Sequence, residues 1–277
     1  MMRRREFVGA CLATPLLLRP AFGASRLVVK GALEQGSLAI GHAGRGATVT
    51  VDGQQVRVSP GGAFAFGFPY DQLKPVSVEA RFADGKTDSA SFTPTARQYD
   101  IQRVDGLPQS TVTPPPEILE RIKREGAEIF EGRTRDTAGD DFLSGFDWPA
   151  PGRESGVFGS QRIDNGVPMA PHFGVDMAAP TGTPIHAPAD GVVTISADHY
   201  LNGGFILMDH GQGVSTSFLH QSKRIAQAGD VVRRGQVIGL VGQTGRATGP
   251  HLHWAMNWFQ VKLDPSRSTK TPKPKPL

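Results

Sequence analysis

The sequence predicts a mostly β protein, two units of short strands joined by one helix. Three observations point there. The 34 glycines and 22 prolines are about a fifth of the 277 residues, above the ~12% of average chains and below the ~25–30% of disordered ones. Apolar residues recur in short alternating runs between glycine-containing turns, which reads as strand rather than long helix. One central stretch carries its apolar residues at helical spacing instead. With 38% hydrophobic residues the chain can fill real cores, and its length suits two domains. The expected layout is a small β-sandwich-like domain at 25–102 and a linker at 103–147 with a helix at 116–132. A second β domain follows at 148–266, then a basic Pro/Lys tail at 267–277.

Residues 1–24 read as an export signal. Arg3-Arg4-Arg5 is a positive start, and residues 7–18 are an apolar run shorter than the ~20 residues of a membrane span. Ala21-Phe22-Gly23-Ala24 offers small residues for cleavage. Arg4-Arg5-Glu6-Phe7-Val8 resembles a twin-arginine signal, which implies export in the folded state. Cys11, the one cysteine, falls in this segment. The mature chain is therefore expected to hold no thiol, and any metal site in it must use His, Asp or Glu. The formal net charge is +4, but residues 1–24 carry +3 and residues 267–277 carry +4, leaving −3 for 25–266. Nucleic acid is excluded as a partner on this ground, because phosphate affinity needs clustered positive charge on the fold.

In the first β unit, Asp52-Gly53 and Asp84-Gly85 each separate two strand-like runs. Both predict hairpins, because a tight turn needs positive φ. Phe64, Phe66 and Phe68 alternate and so share a strand face. His42 stands alone there and reads as a surface or turn residue. Pro114-Pro115-Pro116 can start a helix but not sit inside one. Ile118, Leu119, Ile122, Ile129 and Phe130 form its apolar stripe, with Glu117–Arg121 and Glu120–Arg124 as i,i+4 pairs. Residues 133–147 read as a loop.

Strand-like runs return after Trp148, at 191–195, 204–208, 214–219 and 236–241. Seven of the eight histidines lie between 172 and 253. Such clustering favours a metal or proton-transfer site. In a strand, His251-Leu252-His253 turns both imidazoles to one face and Leu252 to the core. His172 and Asp176 share a face if that segment is extended, and Gly174 between them leaves room above it. A mononuclear zinc site needs three protein ligands and an open position. His172, Asp176 and one histidine of the 251/253 pair supply that set, and His220 could meet it from the other side. His186 and His199 read as structural or exposed, His210 as a turn residue. Tyr200, Trp254, Trp258 and Phe259 read as core rather than groove.

His172-x-Gly174-x-Asp176, His220 and Gly249-Pro250-His251-Leu252-His253 together resemble the lysostaphin-like (LytM-type) zinc metallopeptidases, over about residues 148–264. Phe158-Gly159, Ala187-Pro188-Ala189-Asp190-Gly191 and Asp209-His210-Gly211 agree. The resemblance implies one zinc ion per chain on His172, Asp176 and His253, and catalytic histidines at His220 and His251. It also implies a compact, antiparallel, barrel-like β fold with a narrow groove, zinc at its floor, and hydrolysis of peptide bonds in peptidoglycan. Three departures stand out. Phe158-Gly159-Ser160-Gln161-Arg162 is one residue longer than the usual motif, Phe218 replaces a common tyrosine, and Ala255 replaces a common acid. Arg162 is a candidate for holding a substrate carboxylate, with a structural ion pair the preferred reading.

The expectation is thus an exported zinc metalloendopeptidase that cuts peptide crosslinks of bacterial peptidoglycan, in the periplasm. His251 or His220 takes the proton and the other steadies the oxyanion, with His251 the preferred base. The alternative is a non-catalytic cell-wall-binding protein or a regulator of other wall hydrolases; such chains lose zinc ligands, and here all are present. Peptidoglycan stem peptides are the expected partner. An envelope protein could bind through the N-terminal domain, and no span crosses the membrane.

Overall fold

The structure is a computed structural model that describes residues 26–274. The export segment expected at 1–24 lies outside the described residues. In the N-terminal part, Val28–Lys30, Leu38–His42 and Ala63–Gly67 form a three-stranded antiparallel sheet. Gln54–Val56, Thr48–Val51, Val76–Arg81 and Thr87–Phe92 form a four-stranded one. Both expected hairpins are present. Asp52 and Gly53 take φ of 48° and 78°, and Gly85 takes 78°, as tight turns between twisted strands require. Phe64, Phe66, Phe68, Val49 and Val78 fill a core shared by the two sheets.

The strand Ala63–Gly67 is buried on both faces. Its phenylalanines enter the N-terminal core, while Ala65, with Leu38, joins the core of the C-terminal part. A Cβ on Gly67 would lie 2.9 Å from Leu263 Cδ2, so glycine lets the two parts close up.

The helix spans Pro116–Arg133, with proline in its first turn as expected. Its apolar stripe is only partly used. Ile129 packs on Ile195, Phe205 and Leu207, whereas Leu119 and Phe130 are about half exposed. The ion pair formed is Arg121–Glu125, in place of the two pairs expected, because Glu125 also accepts from the Tyr200 N–H of the sheet below. The stretch after the helix is no free loop: Phe142 and Phe146, on and beside a 3-10 turn at Asp141–Ser144, are fully buried.

The C-terminal part is built on an antiparallel eight-stranded sheet. Its order is Val231–Val232, Gly191–His199, Gly203–Asp209, Val214–Gln221, His251–Trp258, Val175–Ala178 and Arg153–Gly156, with Val261–Leu263 pairing beside His251–Trp258. Pro184–His186, Val237–Leu240 and Lys223–Arg224 form a smaller sheet. The sheet stays open, so the barrel-like closure expected from sequence does not form. Ile101–Val104, inside the stretch read as the domain boundary, pairs in parallel with Gln161–Asp164. The tail begins later than expected: Phe146 N–H donates to Ser268 O and Lys270 N–H to Phe146 O, which pins residues 268–270.

Candidate metal centre and groove

The register of three adjacent strands builds the site. Asp176 lies opposite His253, and His253 opposite Leu219. Because facing residues share a sheet face, Asp176 and His253 point to the same side. His251 precedes by two and joins them, while Leu252 is fully buried on the other side. His172 comes from the irregular stretch just before Val175–Ala178 rather than from the strand itself. Its N–H donates to Ser160 O and its C=O accepts from Gly159 N–H, and these bonds aim its ring at the other two residues.

The three ligand-type atoms converge. His172 Nε2 lies 3.0 Å from Asp176 Oδ1, His253 Nδ1 lies 2.8 Å from the same oxygen, and the two nitrogens are 2.9 Å apart. His172 Nδ1 is 3.1 Å from Val157 O, so its proton sits on that side. Its Nε2 therefore turns a lone pair toward a carboxylate oxygen. Two acceptors at that distance repel unless a cation, a metal ion or a shared proton, lies between them. Two nitrogens and one carboxylate oxygen, without cysteine, are a zinc-type donor set, and a backbone carbonyl fixing the tautomer of a ligand is its usual support.

Burial works against a charge on Asp176, yet the histidines outweigh it: His172, then His253, hold this carboxyl well below its ordinary range. Burial pushes His253 down to about 4, against the pull of Asp176. At neutral pH the carboxylate is ionised and the His253 ring neutral, the states that bind a metal. The second oxygen, Asp176 Oδ2, accepts from Arg162 Nη2 at 2.6 Å. Arg162 is thus engaged in an ion pair with this carboxylate.

His220 reaches the site through an irregularity. Leu219 faces the groove, so simple alternation would turn His220 away. Instead His220 has φ of 63°, in the left-handed region that side chains rarely adopt, and the pairing of its strand with Gly203–Asp209 shifts register there. Both residues line the groove as a result. The His220 ring lies 4.7 Å from that of His251. His220 Nδ1 is 2.8 Å from Thr244 O, and His251 Nδ1 is 2.8 Å from Gly249 O. Each ring so commits Nδ1 to a backbone carbonyl and leaves Nε2 as its free nitrogen. Burial, then the neighbouring His251 and His253, pushes His220 down to about 3.

All five histidine and aspartate positions singled out from sequence are therefore brought together. The three remaining histidines of the region are elsewhere. His210 opens the turn between Gly203–Asp209 and Val214–Gln221, its N–H donating to Val214 O, and it is fully buried, with Nδ1 at 2.7 Å from Asp190 O and Nε2 at 2.8 Å from Thr216 Oγ1. His199 stacks on Phe205 and meets Glu128 of the helix at 3.1 Å. Gly156 was missed by sequence reasoning. Its Cβ would lie 2.3 Å from Asp176 Oδ2, as one on Gly174 would lie 2.4 Å from His253 Nε2. Two cavities of about 330 and 410 Å³ flank the cluster, one reaching His172, His220 and His253, the other Asp176 and His251.

Residues 170–265 match Peptidase family M23. The chain is 47% identical over 88 residues to the peptidoglycan DD-endopeptidase ShyA of Vibrio cholerae serotype O1, which is 32% of this chain and 20% of ShyA. It is 49% identical over 83 residues to the DD-carboxypeptidase/endopeptidase Mpg of Neisseria meningitidis serogroup B, 30% of this chain and 19% of Mpg. The match thus spans about a fifth of the length of these curated relatives. A Pseudomonas aeruginosa protein of solved structure, described as peptidase M23, is similar over far more. It is 32% identical, with a TM-score of 0.67, across 85% of this chain and 94% of that one. Since that likeness takes in 85% of this chain and nearly all of the other, the chain belongs to peptidase family M23.

Proposed function

We propose that this chain is a zinc-dependent endopeptidase that hydrolyses peptide crosslinks of bacterial peptidoglycan outside the cytoplasm, in the periplasm after export. The observation that carries the reading is the 2.8–3.0 Å triangle of His172, Asp176 and His253 beside two imidazoles that each hold a free Nε2. The names of ShyA and Mpg support the substrate. The complete donor set argues against a non-catalytic wall binder.

His172, Asp176 and His253 would hold one zinc ion, which supplies a Lewis acid and lowers the pKa of water to roughly 7. His251 is assigned as general base. Its Nε2 lies 3.8 Å from Asp176 Oδ1, so the positive charge it gains on taking a proton faces a carboxylate. His220 stays neutral at working pH and offers an acceptor at Nε2. It can steady the oxyanion of the tetrahedral species only once a proton has reached it. Arg162 is a positioning residue: it holds Asp176 Oδ2 and so keeps Oδ1 on the metal side.

Digestion of purified peptidoglycan by the mature protein, with and without chelator, followed by mass analysis, tests this. Crosslinked fragments should fall to monomers only without chelator. Intact crosslinks in the zinc-loaded sample would refute the reading.

A further inference from the structure

The groove is lined by two cations that have no partner among the described residues. Lys262 sits on Val261–Leu263, opposite Asn257. Asn257 continues the row His251, His253, Ala255 along one strand face, since alternate residues share a face. Lys262 therefore rises from the floor that holds the metal cluster, about 13 Å along the strand from His253 at ~3.3 Å per residue. Arg133, the last residue of the helix, reaches the same cavity from the facing side. Among the described residues neither cationic head forms an ion pair or side-chain hydrogen bond, and Arg133 Nε is buried without an acceptor. Burial pulls Arg133 down to about 10. Burial, then the charge of Arg133, pulls Lys262 down to about 7. Two partly desolvated like charges lining one cavity are costly, and an anion between them relieves both.

We propose that Arg133 and Lys262 form a carboxylate-binding subsite, which selects peptides carrying an ionised carboxylate about two to four residues from the scissile bond. This rests on the endopeptidase reading above. The ligand is a carboxylate because the planar fork of arginine matches two carboxylate oxygens and the cavity opens directly onto the proposed peptide-cleaving centre. Arg162 is already committed to Asp176 and cannot serve this purpose. The helix then contributes directly to recognition, supplying half of the subsite from outside the matched residues 170–265.

The test uses the full zinc-loaded chain and crosslinked stem peptides in three forms: unmodified, with terminal carboxylates amidated, and with side-chain carboxylates amidated. We expect kcat/KM to fall about tenfold or more for one amidated form, as loss of a charge-assisted pair implies; which form falls identifies the carboxylate. In Arg133→Gln/Lys262→Gln protein the ratio of unmodified to amidated substrate should collapse to about one. In Arg133→Lys/Lys262→Arg protein it should persist. An arginine that merely stabilises the helix C-terminus would change Tm and leave that ratio untouched. Equal kcat/KM for all three forms in the unaltered chain would overturn the subsite. Failure to cleave any form would refute the endopeptidase reading alone. The subsite is then judged by calorimetric binding of the same peptides with chelator present, where equal affinities overturn it and tighter binding of the unmodified form supports it.

Discussion

At the scale of single residues, the proposed function gives the five side chains at the centre two chemical roles that substitution can tell apart. His253 contributes Nδ1 to the metal triangle. His253→Ala should lose bound zinc, read by elemental analysis, and lower kcat/KM by about a thousandfold or more. His220 makes no contact with that triangle through its own nitrogens; its one ring bond is to Thr244 O. His220→Ala should retain about one zinc per chain and lose about 10²–10⁴ in kcat, the range for a proton-handling group. A His220→Ala protein with full turnover would contradict the role assigned to it. The spacing of these residues was legible in the chain, because strand alternation alone puts 251 and 253 on one face. The turning of His220 was not, since a positive φ at a non-glycine residue leaves no mark in the sequence.

At the scale of elements, the helix Pro116–Arg133 matters through where it lies. It packs across the sheet beside the groove, and Gly132 sets how close it comes. A Cβ there would lie 2.7 Å from Leu207 Cδ2 and 2.8 Å from Ile195 Cδ1. Gly132→Val should push the helix outward and destabilise the fold by about 1–3 kcal/mol, the usual range for overpacking, measurable by urea unfolding. The helix itself was readable from Pro114-Pro115-Pro116 and its apolar spacing. Its partner face was misjudged, because Leu119 and Phe130 look equivalent to Ile129 in sequence and only the docking angle leaves them exposed.

At the scale of the whole molecule, the N-terminal sheets brace the centre. Tyr70 packs edge-on against Phe173, ring centroids 5.1 Å apart, next to His172 of the candidate metal triad. Arg97 Nη2 donates to the buried Asp264 carboxylate at 2.9 Å. With Leu38 and Ala65 in the C-terminal core, heating should unfold both parts in one calorimetric transition; two separated transitions would mean the shared core is not coupling them. Stability should also depend on acid. Burial pushes His210 down to about 4 from an unfolded value near 6.5. Between those values the unfolded chain binds the extra proton, so the stabilisation is complete above about pH 6.5 and is lost as pH falls toward 4. A shift of that size is on the order of 3 kcal/mol. His210→Gln should flatten the stability curve in that window, followed by urea unfolding at several pH values.

The sequence by itself determined the mostly β class, the two Asp-Gly hairpins, the helix and the identity of the clustered histidines and Asp176. Each depends on local rules of alternation, turn geometry or residue chemistry that act over a few positions. The tertiary structure alone decided the open sheet in place of a barrel, the burial of His210, the pairing of Arg162 with Asp176, and the meeting of Arg133 with Lys262. Those features join residues 14 to 129 positions apart or set the burial of one, and only packing brings such groups within reach of each other and away from water.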